Sequence, residues 1–131
     1  MAEVLIVEDD ADAADALAEV LTIEGHAVRV AFNGEQGLRL LHERAPDLVL
    51  LDIEMPVLDG PGMATRMVVH DAGLEKVPIV ILSGSPDVRQ VAAQVGTPYF
   101  IGKPCTYPRL MDLVGRVLRE RRPPTPEGID K

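Results

Sequence analysis

The sequence predicts an open α/β fold, a parallel sheet with helices on both faces. Three observations carry that expectation. Five short β-rich apolar runs alternate with helical patterns over residues 1–122, the sign of repeated βα units. Three of those runs are apolar without interruption, as strands covered on both faces must be. The acidic and reactive side chains collect just after the runs, where open α/β sheets place their sites.

The elements follow in order. The first run is Val4-Leu5-Ile6-Val7. Ala13, Leu17, Val20 and Leu21 then keep helical spacing, and Gly25 suits a C-terminal cap. The second run, Ala27-Val28-Arg29-Val30-Ala31, alternates and suits an edge strand. Asn33-Gly34 opens a second helix carrying Leu38 and Leu41. The third run is Leu48-Val49-Leu50-Leu51, after which Pro61 suits the first turn of a third helix ending near Gly73. Ile79-Val80-Ile81-Leu82 is the fourth run, and a fourth helix over residues 87–95 stops at Gly96. Tyr99-Phe100-Ile101 is the fifth. The last helix has the clearest pattern, with Leu110, Leu113, Val114, Val117 and Leu118 on one stripe. Thr106 is its expected N-cap and Pro108 lies in its first turn. Residues 1–122 thus read as one domain. Residues 123–131 read as a proline-rich, extended tail or linker.

Composition removes several function classes. Acids outnumber Lys and Arg by 21 to 13, for a net charge of −8, the reverse of a general nucleic-acid binder. Aromatics are 3% and Trp is absent, which removes stacking platforms for single strands. The single cysteine, Cys105, permits no internal disulfide and no cysteine-based zinc site; it reads as a small core residue. The first residues lack a basic segment followed by an apolar one, so no leader is expected. No apolar run approaches the roughly 18 residues that span a bilayer, and the cytoplasm is the default location.

Four strand ends deliver polar groups to one rim: Glu8, Asp9 and Asp10 after the first run, Asp52 and Glu54 after the third, Ser83 after the fourth, and Lys103 after the fifth. The opposite rim is expected to carry no such set. Carboxylates crowded within a few ångströms repel one another, and a divalent cation relieves that. Oxygen-only donors favour a hard ion, and an incomplete protein cage suits Mg²⁺, which keeps waters and takes a phosphate. Lys103 adds a compact charge able to pair with a carboxylate or a phosphoryl oxygen.

The motifs Val7-Glu8-Asp9-Asp10, Leu51-Asp52-Ile53-Glu54-Met55-Pro56-Val57-Leu58-Asp59-Gly60, Leu82-Ser83-Gly84 and Gly102-Lys103-Pro104 resemble the response-regulator receiver family of two-component signalling. The resemblance covers about residues 3–120. It implies a doubly wound, flavodoxin-like sheet of five parallel strands in the order 2-1-3-4-5. It implies that Asp52 accepts a phosphoryl group from a histidine kinase or histidine phosphotransfer protein. Glu8, Asp9, Asp52 and the backbone carbonyl of Glu54 match the family's Mg²⁺ ligands. Ser83 matches the switch hydroxyl, Lys103 the phosphoryl-contacting lysine and Phe100 the aromatic switch; the Lys103–Pro104 bond matches one that is usually cis in the family. The surface of the fourth helix, fifth strand and fifth helix would then signal to a downstream protein, and that surface often pairs into a homodimer. Membrane insertion and direct nucleic-acid contact are not implied.

Three features depart from the family pattern. Ser83 to Gly96 is short, Phe100 lacks a hydroxyl, and Cys105 replaces a bulkier apolar residue. Simpler roles stand beside the sharper ones. Asp10 reads as a helix cap, Asp59-Gly60 as a turn, and Phe100 equally as a packed edge aromatic. His26, His42 and His70 lie far from the motifs and receive no role. Arg116, Arg119, Arg121 and Arg122 read as a solvated helix end favoured by the dipole, or as a contact for an acidic partner. Two other functions remain open. A receiver-fold interaction module would work without phosphorylation, although such modules usually lose the acceptor, an acid or the lysine. An aspartate-dependent phosphatase of the haloacid-dehalogenase type is faintly echoed by Asp52-Ile53-Glu54, but its signature normally follows the first strand and its cap needs more chain.

Overall fold

A computed structural model describes residues 2–52, 77–84, 88–103 and 105–123. Five strands, β1 (Glu3–Val7), β2 (Ala27–Ala31), β3 (Leu48–Asp52), β4 (Ile79–Ser83) and β5 (Phe100–Gly102), form one sheet. Every pairing is parallel, and the order is β2-β1-β3-β4-β5. The described helices are α1 (Ala11–Ile23), α2 (Gly34–Glu43), α3 (Val88–Val95) and α4 (Tyr107–Glu120). The helix expected near residues 61–73 and the tail at 124–131 lie outside the described residues. None of the described helices is long and apolar enough to cross a membrane.

The uninterrupted apolar runs serve two cores. Alternation sends Leu5, Val7, Val49, Leu51, Ile79 and Ile81 to one face, where they meet Leu38 and Leu41 of α2 and Ala92 of α3. Val4, Ile6, Leu48, Leu50, Val80 and Leu82 go to the other, against Leu21 of α1 and Leu110, Val114 and Val117 of α4. β2 and β5 are the edges, in keeping with the largely half-buried pattern of β2.

Local chemistry sets the helix ends. The Asp10 carboxylate accepts the Asp12 and Ala13 N–H groups at the start of α1. Asn33 Oδ1 accepts the Gln36 N–H at α2, and Thr106 Oγ1 accepts the Arg109 N–H at α4. Gly25 and Gly96, at φ +94° and +84°, turn the chain after α1 and α3 in a region costly for other residues.

One expectation needs correction here. The amino rim of the sheet carries an organised ionic network. Glu3 Oε1 receives Arg29 Nη2 at 3.0 Å and Arg44 Nε at 2.9 Å. Asp47, just before β3, accepts the Glu3 N–H at 2.7 Å and Arg121 Nη1 at 3.1 Å. The basic end of α4 is exposed, as expected of a solvated helix end, and Arg121 in addition pairs with Asp47. The Arg116 guanidinium lies 5.4 Å from the Tyr99 ring centroid and pairs with Glu120. The buried Tyr99 hydroxyl donates to Glu120 Oε1 at 2.9 Å and accepts the Arg122 N–H at 3.3 Å. These contacts hold Arg121 in the left-handed region at φ 52°, where a side chain costs roughly 1–2 kcal/mol. The physical reason is length: α4 carries its last residues back to the rim where β1 and β3 begin.

Tyr99→Phe deletes the hydroxyl and keeps the ring. The unfolding free energy is expected to fall by about 1–2 kcal/mol in urea titrations followed by circular dichroism. Asp47 supplies a pH-dependent companion. The Glu3 N–H, then Arg121, hold its carboxyl below the usual value of 3.8 against the opposing effect of burial. A carboxyl lowered in the folded state adds stability that is complete above 3.8 and is lost as pH falls through the folded value. Asp47→Asn is therefore expected to lower the denaturation midpoint near neutrality, and the gap to the parent protein is expected to narrow as the pH falls below 3.8 and through the lowered folded value.

Candidate functional site

The site is built at the carboxyl ends of the central strands. β1 ends at Val7, and the Glu8 N–H continues its ladder by donating to Ala31 O at 2.9 Å. That extension turns the Glu8 side chain inward, and the residue is only 2% exposed. Its Oε1 accepts Lys103 Nζ at 3.0 Å. Its Oε2 lies 3.4 Å from the Asp10 N–H, a long contact. Asp9 is exposed beside it. Asp10 is committed to capping α1, as its helix-start position implies.

Register fixes where Asp52 stands. Val7 pairs with Leu51, and Asp52 pairs with Leu82. Asp52 is the last residue of β3, level with Glu8 on the neighbouring strand. Ser83 ends β4 fully buried, opposite Gly102, and its carbonyl accepts the Lys103 N–H at 2.7 Å. Lys103 is therefore tied to β4 through its backbone and to Glu8 through its side chain. β3 and β4 lie between β5 and β1, so the Lys103–Glu8 pair runs across the carboxyl end of β3.

This ion pair has a definite electrostatic character. The Glu8 carboxylate is almost wholly removed from water, while the Lys103 side chain is 36% exposed. A buried charge is tolerated when a partner and hydrogen bonds compensate its desolvation. The rim thus combines a fixed buried anion, a cation reaching across from β5, and the exposed Asp9 carboxylate. These oxygen donors fit a hard dication chemically. Among the described residues no cluster of three or more carboxylate, imidazole or thiolate groups is assembled; the Asp52 side chain is not among them. Glu54, expected to offer a backbone carbonyl, and Pro104 lie outside the described residues.

Phe100 is half-buried on the α3 side of the sheet, packed with Val88 against the core there. The Arg89 guanidinium covers it at 5.7 Å from the ring centroid. Sequence reasoning missed Arg89, because nothing in the local pattern links the first turn of one helix to the following strand. The short segment after Ser83 leads to an α3 of 8 residues. Cys105 is half-buried and packs against the core shared by α1 and α4. His26 accepts the Ala2 N–H through Nδ1 at 3.1 Å, at the rim remote from the acids.

The model of the response regulator receiver domain matches residues 4–115. This chain belongs to the response regulator receiver family. The receiver is 36% identical over 120 residues to the transcriptional regulatory protein PrrA of Mycobacterium tuberculosis, a match covering 90% of this chain and 50% of PrrA. It therefore spans about half the length of that curated relative. The signal receiver domain of a signal transduction histidine kinase from Syntrophus aciditrophicus is 31% identical, with a TM-score of 0.82 over 100% of this receiver and 98% of that chain. The receiver domain of NtrX from Brucella abortus is 33% identical, with a TM-score of 0.77 over 88% and 98% of the two chains. Family membership and the five-stranded order agree with what the motifs implied.

Removing one partner of the Glu8–Lys103 pair leaves the carboxylate buried without its cation. Lys103→Met is expected to destabilise the receiver by about 1–3 kcal/mol, less than for a fully buried pair because water reaches the ammonium. Adding Glu8→Gln is expected to recover part of that loss. Equal, additive losses in a double-mutant cycle in urea would contradict the coupling.

Proposed function

We propose that this receiver accepts a phosphoryl group on Asp52 from a phosphohistidine of a histidine kinase or histidine phosphotransfer protein. The Asp52 carboxylate oxygen attacks phosphorus, the P–N bond breaks, and an acyl phosphate forms as imidazole leaves. The observation that carries this reading is the ion pair across the end of β3, between Lys103 and the buried Glu8. It brings positive charge to the strand end where a dianionic group would arrive, and charge neutralisation is most of what phosphoryl transfer requires.

Glu8, Asp9, Asp52 and the Glu54 backbone carbonyl would hold Mg²⁺, which neutralises phosphoryl oxygens when bound. Lys103 then exchanges part of its interaction with Glu8 for the new anion. Ser83, buried at the end of β4, donates its hydroxyl to the phosphoryl group, and Phe100 responds on the same side of the sheet. The altered surface comprises α3, β5 and α4. A downstream protein, or a second copy of the receiver, reads it. The modification must favour that surface by about 1–3 kcal/mol for the signal to pass. Hydrolysis of the acyl phosphate resets the receiver. On this reading the chain is a signalling acceptor that assists its own modification, with residues 1–122 as the working domain and 123–131 as a linker or tail.

Incubation with acetyl phosphate or phosphoramidate and Mg²⁺ is expected to raise the intact mass by about 80 Da. Asp52→Asn and chelation of the metal are each expected to abolish the gain. A well-folded parent protein that gains no mass would instead favour a receiver-fold module working without phosphorylation. Release of phosphate from small phosphomonoesters would favour the phosphatase.

A further inference from the structure

We propose that Arg89 is a positioning residue for the Phe100 ring, a cationic clamp that must release before the ring can move toward Ser83. This deepens the phosphorylation reading and rests on it.

The argument begins with register. Ile81 pairs with Phe100, and Ser83 pairs with Gly102. Side chains two residues apart share a face, so Ser83 lies on the side of the sheet where Ile81 and Phe100 pack. Gly102, opposite Ser83, contributes no side chain there. Among the described residues, a Cβ at Gly102 would meet nothing nearer than Ser83 O at 3.9 Å. Phe100 is therefore the next β5 side chain along that face, with no β5 side chain between it and Ser83.

The ring is half-buried, and the Arg89 guanidinium stands 5.7 Å from its centroid. Phenylalanine has no hydroxyl, so the electron-rich ring face is its one electrostatic handle. Arg89 is exposed in the first turn of α3, where the helix dipole disfavours a cation. Among the described residues no carboxylate pairs with it. The contact compensates both groups and ties the start of α3 to β5. Movement of Phe100 toward Ser83 breaks it, so the clamp sets the resting bias of the switch and couples α3 to the ring.

The test reads the ring itself. The chain has two phenylalanines, Phe32 and Phe100. Incorporating 4-fluorophenylalanine into a Phe32→Leu background leaves one ¹⁹F resonance, that of residue 100. Arg89→Gln, without phosphorylation, is expected to move this resonance toward the position the Phe32→Leu parent reaches with phosphoramidate and Mg²⁺. The population of the displaced ring is expected to rise about two- to fivefold, and phosphorylation to accelerate by a similar factor. Arg89→Lys, which retains charge without the planar group, is expected to fall between. If that parent gains the phosphoryl mass but Arg89→Gln leaves the resting and phosphorylated resonances unchanged, the clamp is refuted alone. If the parent gains no mass, the phosphorylation reading fails and takes this inference with it.

Discussion

The contact between Glu8 and Lys103 organises the functional end of the molecule. A carboxylate almost wholly removed from water needs a compensating charge, and the cation comes from the far side of the sheet. Strand order makes this consequential. With β3 and β4 between the partners, the pair lies over the end of the strand that finishes in Asp52. Before any ligand arrives, the rim already has an anion that would welcome a dication and a cation that would welcome a phosphoryl oxygen. The carboxylate is almost wholly buried, while the lysine remains partly hydrated. That partial hydration suits a site whose proposed task is to change state.

The rest of the fold supports this arrangement by keeping the strand ends level. Two cores, one on each face, clamp the sheet so that β1, β3 and β4 cannot slip relative to one another. A slip of one residue would exchange the apolar side chains between faces and separate Glu8 from the level of Asp52. The opposite rim contributes as well. Glu3, Asp47 and Arg121 join the beginnings of β1 and β3 to the end of α4. Tyr99 anchors the residues beyond that helix through Glu120 and Arg122. One end of the sheet is thereby tied by ion pairs beside a left-handed turn, while the other carries the Glu8–Lys103 pair. The two ends of one parallel sheet differ in the kind of electrostatics they carry.

On the proposed reading, the β4–β5 edge between those ends is where a change at the site reaches the surface. Ser83 is buried and Phe100 is half-exposed on the same side, with a glycine rather than a side chain alongside the serine. A backbone ladder transmits little by itself. On the proposed reading, a ring restrained by a surface cation is the bistable element that lets a local charge alter a distant face.

The order of elements, the two-faced burial of the central strands and the gathering of Glu8, Asp9, Asp52, Ser83 and Lys103 at strand ends were legible in the sequence. Each depends on spacing within a few residues or on the general rule for where strands of an open sheet point. The caps at Asp10 and Thr106 were legible for the same reason, since a cap is satisfied within three residues. The pairing of Arg121 with Asp47, 74 residues away, was not. Nor was the placement of Arg89 over Phe100, or the attachment of the basic end of α4 to Tyr99. These contacts depend on how far each helix runs and where the crossover returns the chain, and no local periodicity encodes that distance. The sequence by itself determined which groups are presented at the ends of the strands; only the tertiary structure decided which of them face one another, because strand order and helix length are set by packing the whole chain.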